Sequence, residues 1–188
     1  MIYLNDHLQD FDLADALSRL SEQRREQALH YKFELGQRTC AAAYLLLCQG
    51  LQQEYGISEQ PLFAFGEHGK PSIVGHPEIH FNLSHCREAA LCAISDRPVG
   101  VDVESVRSFN ASLVEYTMNE QEVQQIRQAA DPALEFIRLW TMKEALMKLT
   151  GEGISNHMKD VLNRSDVTFQ TVVSPDRSYV YTICQHKK

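Results

Sequence analysis

The chain has 188 residues, a formal net charge of −7 at pH 7, 44% hydrophobic residues and 23% charged residues. This composition is typical of a soluble globular protein with one ordinary domain or two small packed lobes. The negative charge argues against general nucleic-acid binding, and the longest apolar run, residues 40–48, is too short to cross a membrane.

The N-terminus and the cysteines predict a cytoplasmic protein with no membrane partner. Residues 1–6 contain neither a basic region nor a cleavable apolar core, so we expect no signal peptide. The five cysteines are odd in number and form no C-x-x-C pair, which favours reduced, mostly buried thiols.

The first half of the chain predicts helices followed by strands. A strand, two helices and three further strands are expected at residues 1–4, 13–29, 34–55, 62–65, 78–83 and 89–94. Gly56 suits the end of the longer helix, and Ser21 suits an N-cap within the shorter one. Residues 66–71 read as a loop.

The segment Val99–Glu104 predicts a strand with one apolar and one acidic face. Its side chains alternate in the order Val99, Gly100, Val101, Asp102, Val103, Glu104. The glycine leaves room for something to approach the backbone. Two adjacent carboxylates repel each other unless a cation such as Mg²⁺, a shared proton or solvent relieves them. Taken alone, the segment favours an edge strand with a solvated acidic face.

Residues 131–150 predict one helix, which begins at an Asp-Pro pair and ends at Gly151 and Gly153. One of its faces carries three residues spaced four apart: Trp140, Glu144 and Lys148. Taken alone, the last two favour an ordinary surface ion pair. A helix at 119–129 and strands at 166–173 and 178–184 complete the second half.

Together, these two segments resemble the paired signature of the 4'-phosphopantetheinyl transferase superfamily. The signature has the form (V/I)G(V/I)D(V/I)E followed by WxxKEAxxKxxGxG, and this chain has GVDVE at 100–104 and WTMKEALMKLTGEG at 140–153. Two further stretches resemble family motifs, namely GKP at 69–71 and FNLSH at 81–85.

The resemblance implies an α+β fold of two similar lobes related by pseudo-twofold symmetry, as in the Sfp-like branch. Residues 1–98 would form an N-terminal lobe with coenzyme A-binding elements, and residues 99–188 a C-terminal lobe with metal and catalytic elements. It also implies a monomer that transfers 4'-phosphopantetheine from coenzyme A to a serine of an apo acyl- or peptidyl-carrier protein. The reaction depends on Mg²⁺ and releases adenosine 3',5'-bisphosphate.

The resemblance assigns roles residue by residue. The metal ligands would be Asp102, Glu104 and Glu144. The catalytic residues would be Glu144, Lys148 and Glu104. The coenzyme would be bound by Arg38, Lys70, Ser84, His85, Asp102 and Lys148. The serine proton would pass to Glu144, or to Glu104 through a metal-bound water, and Lys148 would stabilise or protonate the departing bisphosphate.

The coenzyme 3'-phosphate contact is the point where the chain departs from the family. Family members carry lysines where this chain is expected to have Gln23 and Glu26. The resemblance assigns this contact to Arg38. Arg24 and Arg25 are close but are expected to point elsewhere on the helix, and whether Arg38 or one of these two arginines meets the 3'-phosphate stays open. Trp140 is interpreted as a packing residue, and Lys143 receives no role.

Two other functions remain open from the sequence. The first is another Mg²⁺-dependent phosphoryl or nucleotidyl transferase, although the chain has no G-x-x-x-x-G-K-[ST] loop and no G-x-G-x-x-G turn. The second is a non-catalytic family member that binds coenzyme A or carrier proteins. The sequence does not identify the carrier, and Arg107, Met142 and Met147 are candidates for docking it.

Overall fold

The computed structural model describes residues 1–66, 69–151 and 158–188. Within these ranges, helices and antiparallel sheets are mixed, which confirms the α+β class. The strands are β1 (Ile2–Asn5), β2 (Phe63–Phe65), β3 (Pro71–Ile73), β4 (His80–His85), β5 (Ala90–Ser95), β6 (Val99–Ser105), β7 (Val167–Val173) and β8 (Tyr179–His186). The helices are α1 (Leu13–Ser18), α2 (Glu22–Leu29), α3 (Glu34–Tyr55), α4 (Ala111–Thr117), α5 (Glu120–Gln128) and α6 (Pro132–Thr150).

In the first half of the chain, α3 packs against a sheet of strand order β1-β5-β4. Leu47 and Leu51 of α3 are fully buried against this sheet, together with Phe81 and Ile94. The opposite side of α3 is covered by α1 and α2, which pack around the buried ring of Tyr44. The helix is therefore enclosed on two sides, by the sheet and by α1 and α2.

In the second half, α6 packs across a sheet of strand order β6-β8-β7. As predicted, the side chain of Asp131 caps the helix by accepting a hydrogen bond from the backbone N–H of Leu134, and Pro132 is the first helical residue. Gly151 ends the helix in the left-handed conformation with φ of 76°. The second predicted stop, Gly153, lies outside the described residues.

The two halves repeat one topology. Each contains a strand, a long helix and a terminal antiparallel hairpin, and the first strand pairs with the last: β1 with β5, and β6 with β8. The valine face of β6 packs against β5, and its acidic face points towards α6. A pseudo-twofold relation requires such a repeated topology. The relation itself and the division at residue 98 stay predictions.

Three predicted features of the fold need correction or extension. The single helix expected over 13–29 is two helices, because Ser21 caps a new helix by accepting a hydrogen bond from the backbone N–H of Arg24. Strand β3 begins inside the predicted loop, and α4 was not predicted. All five cysteines are free thiols, three of them buried. Among the described residues, no helix is long and apolar enough to span a membrane.

Candidate active site

A cleft of about 390 Å³ opens between the two halves. Its walls come from α2, the β2–β3 hairpin and β4 on one side and from α6 on the other. The lining residues are Arg24, Gln27, Phe63, Phe65, Gly69, Lys70, Pro71, Asn82, Leu83, His85, Glu144, Met147, Lys148 and Gly151. Three of these are lysine or arginine cations and only one is acidic, so the cleft suits an anionic ligand.

Gly100 determines how closely α6 approaches β6. A Cβ at this position would lie 2.0 Å from the backbone oxygen of Ala145 and 2.4 Å from the backbone nitrogen of Leu149. The prediction that the glycine leaves room for something to approach the strand is therefore confirmed, and the approaching group is the backbone of α6. This contact brings the acidic face of β6 against one face of the helix.

The closest pair across this interface is Asp102 of β6 and Lys148 of α6. The ammonium Nζ of Lys148 donates to the Oδ1 atom of Asp102 at 2.6 Å and to the hydroxyl of Ser84 at 3.0 Å. Asp102 is only 3% exposed. Among the described residues its second oxygen, Oδ2, is buried with no hydrogen-bond partner. The carboxylate therefore keeps one acceptor atom unused.

Glu104 and Glu144 are electrostatically coupled to Asp102. Burial, followed by the charge of Asp102, raises the pKa of Glu144 to about 7, while Lys148 opposes this and Glu104 adds to it. Burial and Asp102 also raise the pKa of Glu104, which a hydrogen bond from Trp140 partly offsets. The charged forms of Glu104 and Glu144 are thus disfavoured by burial and by the neighbouring carboxylate of Asp102.

The predicted metal ligands do not form a ready-made site. Within the described ranges, no group of three or more His, Cys, Asp or Glu side chains is arranged so that it could hold a metal ion. Lys148 neutralises Asp102, and Trp140 holds Glu104. The residues nevertheless fit a hard cation chemically, because they offer carboxylate oxygens, one of which is buried and has no hydrogen-bond partner among the described residues.

His85 lies in the cleft wall as an uncharged imidazole. Burial, and then the nearby charges of Arg24 and Lys148, lower its pKa to about 4. Its ring makes an edge contact with Tyr31, with 5.9 Å between ring centroids. The sequence suggested an imidazole that can be positive near a phosphate. The lowered pKa makes the imidazole neutral at pH 7, and an anion bound beside it would raise this pKa.

Lys70 lies where the hairpin meets the end of α6. Its ammonium donates to the backbone oxygen of Leu149 at 2.7 Å, and its side chain packs on Gly151. Burial lowers its pKa. The GKP stretch therefore places a cation at the cleft and joins the two halves at the same point.

Arg38 does not line the cleft, and Arg24 does. Arg38 pairs with Glu34, donates to the backbone oxygen of Phe11 at 2.7 Å and lies over the Phe11 ring. The expectation that Arg24 points elsewhere is wrong, because the fresh start of α2 at Ser21 rotates Arg24 into the cleft.

The α2 positions that face the cleft differ from those that the sequence predicted. Gln23 and Glu26, expected at the family lysine positions, are exposed, and Gln27 lines the cleft. Arg24 donates to the side chain of Gln27 and to the backbone oxygen of Cys40. In the described part of the chain its buried Nε has no partner.

Ser84, predicted to contact the coenzyme, is not among the residues that line the cleft. It is 7% exposed, and its hydroxyl is hydrogen-bonded to Asp102 and Lys148. Its neighbour His85 lines the cleft instead. The FNLSH stretch therefore contributes to two different places, which a linear motif could not reveal.

Two residues without an assigned chemical role have clear positions. The fully buried Lys143 forms an ion pair with Glu122 at 2.8 Å and donates to the backbone oxygen of Met158 at 2.6 Å, so it joins α5, α6 and the turn that begins at Met158. Trp140 packs on Phe136 and holds Glu104. In the sequence, the only sign that these two residues matter was that both belong to the family motif at 140–153.

A second, smaller cavity of about 300 Å³ lies on the far side of Glu104. Its lining residues are Glu104, Arg107, Ser108, Phe109, Asn110, Leu113, Phe136, Ile137 and Trp140. Among the docking candidates, Arg107 is exposed at this cavity, whereas Met147 is buried at the floor of the cleft and Met142 is half-buried against Arg138.

The comparisons with known proteins agree on one family. The family model described as "4'-phosphopantetheinyl transferase superfamily" matches residues 98–186. The chain is 32% identical over 139 residues to the 4'-phosphopantetheinyl transferase psf-1 of Bacillus pumilus, covering 72% of this chain and 60% of that protein. It is 31% identical over 152 residues to the transferase HetI of a Nostoc species, covering 76% and 64% of the two chains.

The chain belongs to the 4'-phosphopantetheinyl transferase superfamily. A third relative, the transferase Sfp of Bacillus subtilis strain 168, is 24% identical over 157 residues, which cover 82% of this chain and 70% of that protein. The chain spans less than two thirds of the length of the Bacillus pumilus relative. The residues that match the superfamily model include β6 and α6, the two elements that carry the acidic residues and Lys148.

Proposed function

We propose that the protein transfers the 4'-phosphopantetheine arm of coenzyme A to a serine of an apo acyl- or peptidyl-carrier protein. The observation that carries this proposal is the inter-half cleft, where basic residues line the wall and Glu144, with its pKa near 7, meets Asp102 and Lys148. A cationic cleft suits the three phosphates of the coenzyme, and a base with this pKa suits a serine nucleophile.

The first half of the chain would hold the coenzyme. Arg24 offers a buried guanidinium whose Nε has no partner among the described residues, so an incoming phosphate would satisfy it. Lys70 can turn one of its remaining N–H groups towards a phosphate while it stays at Leu149. His85 can take up a proton once an anion lies beside it.

The second half would hold Mg²⁺ through Asp102, Glu104 and Glu144. When bound, the ion would neutralise the charge of the pyrophosphate and of the carboxylates. Burial and then the charge of Asp102 raise the pKa of both glutamates, and among the described residues Oδ2 of Asp102 has no partner. Both observations support this assignment, because a bound cation would favour the charged glutamates and give Oδ2 a partner.

The chain's own residues would carry the proton and the leaving group. The serine oxygen attacks the phosphorus that bears pantetheine, the bond from that phosphorus to the bridging oxygen breaks, and adenosine 3',5'-bisphosphate leaves. Glu144, which lies at the cleft beside Lys148, accepts the serine proton on its carboxylate. Lys148 lies at the cleft beside Asp102 and stabilises the negative charge that develops on the departing bisphosphate.

The carrier protein would approach from the side of the smaller cavity. The cavity begins at Glu104 and combines the exposed cation of Arg107 with the apolar side chains of Phe109 and Leu113. Such a surface suits an acidic helix that carries the serine. In this proposal residues 1–98 bind the coenzyme, residues 99–188 carry the chemistry, and one chain is sufficient.

Intact-mass analysis of an apo acyl-carrier protein tests the proposal. Incubation with this protein, coenzyme A and Mg²⁺ is expected to add one phosphopantetheine arm, and EDTA is expected to prevent the addition. If coenzyme A binds but several acyl- and peptidyl-carrier proteins gain no mass, the protein is a non-catalytic binder. If coenzyme A does not bind, the cleft has another ligand.

A further inference from the structure

Two side chains of β4 replace a strand partner along one edge of β6. Asn82 Oδ1 accepts a hydrogen bond from the backbone N–H of Val101 at 2.8 Å, and Ser84 Oγ accepts one from the backbone N–H of Val103 at 3.1 Å. Both side chains are buried, at 6% and 7% exposure. The β6 edge that faces β4 is thus satisfied by side chains, which buried N–H groups require.

The hydroxyl of Ser84 has no hydrogen-bonding capacity left for a ligand. A serine hydroxyl donates one hydrogen bond and accepts two. Ser84 donates to Asp102 Oδ1 at 2.9 Å and accepts from the backbone N–H of Val103 and from the ammonium of Lys148 at 3.0 Å. A phosphate contact would have to break one of these three bonds inside the protein.

The two oxygens of Asp102 are consequently in different situations. Oδ1 accepts from both Ser84 and Lys148, whereas among the described residues Oδ2 is buried and unpartnered. A carboxylate held by two donors at one oxygen cannot rotate freely. Its other oxygen then faces a constant direction, as partners behind a metal ligand commonly ensure.

We propose that Ser84 is a positioning residue for Asp102, holding Oδ1 so that Oδ2 is presented to the divalent cation, and that it is not a coenzyme contact. This inference rests on the proposed function, because it assumes that Asp102 is a metal ligand. It gives neighbouring residues of β4 different tasks: Ser84 supports the metal, and His85 faces the coenzyme.

The experiment compares Ser84→Ala with His85→Ala. Mn²⁺, which shares the oxygen ligands of Mg²⁺, is titrated into each protein, and the free ion is followed by electron paramagnetic resonance. Coenzyme A affinity is then measured by calorimetry at a Mn²⁺ concentration that saturates each variant. Circular dichroism and thermal unfolding confirm that each variant is folded.

The two variants are expected to show opposite patterns. Ser84→Ala should weaken Mn²⁺ binding about 10- to 100-fold, the effect typical of residues that support a ligand, and leave coenzyme affinity within about twofold. His85→Ala should weaken coenzyme binding and leave Mn²⁺ binding unchanged. Ser84→Thr, which keeps the hydroxyl, should restore Mn²⁺ binding.

Several outcomes overturn the inference. Unchanged Mn²⁺ affinity in Ser84→Ala would do so, as would a loss of coenzyme affinity in a variant that still binds Mn²⁺ normally. If Ser84→Ala does not fold, Ser84→Cys, with its weak donor, must show the same loss of Mn²⁺ binding. If the unaltered protein binds no Mn²⁺, the metal part of the proposed function fails and the inference fails with it.

Discussion

The two walls of the cleft hold their charges in different ways. On the first-half wall, Arg24 and Lys70 are each tied separately, to the backbone oxygens of Cys40 and Leu149. On the second-half wall, Glu144 and Lys148 interact directly with each other and with Asp102, which is buried behind them. A substitution of one separately held side chain removes only its own charge. A substitution within the coupled set also changes the electrostatic environment of the other members.

This difference predicts two classes of variant. A change on the first-half wall should weaken coenzyme binding in proportion to one lost contact. A change on the second-half wall should alter several groups together and act on the chemical step. The predictions that follow run from the largest expected effect to the smallest.

Asp102→Ala should have the largest effect, because it removes a proposed metal ligand and the partner of Lys148. We expect the transfer rate to fall about 10³-fold, measured by intact mass of the carrier protein. Asp166→Ala, which removes an exposed carboxylate of the same half, is the matched control. Equal rates for both variants would contradict the role of Asp102.

Gly100→Ala should destabilise the protein by about 3 kcal/mol, since its Cβ would collide with the backbone of α6. Urea denaturation measures this change. Gly36→Ala is the control, because its Cβ would meet only the Tyr31 side chain, which can move more easily. A greater loss in Gly36→Ala would show that α6 does not rest on β6 as described.

His85 should make stability depend on pH. The pKa of its imidazole is about 4 in the folded protein and 6.5 when unperturbed, so the unfolded chain takes up the proton first. This contribution is fully present above pH 6.5 and is lost as the pH falls towards 4, by about 3 kcal/mol.

The measurement is the difference in urea stability between the unaltered protein and His85→Gln across this pH range. The variant should lose less stability than the unaltered protein on acidification. Because Glu144 titrates in the same range, only the difference between the two proteins isolates His85. Parallel curves would mean that His85 is not held neutral.

Arg24→Gln should weaken coenzyme A binding about 20-fold, the effect of one charge-assisted hydrogen bond, and the loss should shrink at high salt. Arg38→Gln is the matched control, because Arg38 is occupied by Glu34 and the backbone of Phe11. Calorimetry compares the two. A greater loss for Arg38→Gln would support the assignment that the sequence favoured.

The sequence predicted the second-half wall far better than the first. Strand and helix periodicity predicted which side chains share a face within β6 and within α6. That the two faces meet, as the ion pair of Asp102 with Lys148 shows, was implied only by the family resemblance. The close approach at Gly100 could also be predicted, since a glycine between valines in a strand often marks a place where another group approaches the backbone.

The first-half wall depended on features that periodicity does not encode. The rotation of Arg24 into the cleft follows from where α2 restarts, which a cap at Ser21 decides. The burial of Ser84 depends on the packing of β4 against β6, a contact between distant segments of the chain. Such tertiary contacts decide a residue's role without altering its local sequence pattern.

The central claim is that Glu144 performs chemistry in a cleft that other residues use for binding. Its most direct test is a single-turnover transfer assay of Glu144→Gln with coenzyme A saturating and an apo carrier protein in excess. The account predicts that coenzyme A affinity changes less than about threefold while transfer slows by about 10²- to 10⁴-fold. Transfer at the unaltered rate, or a loss of coenzyme A binding that alone explains the slowing, would contradict it.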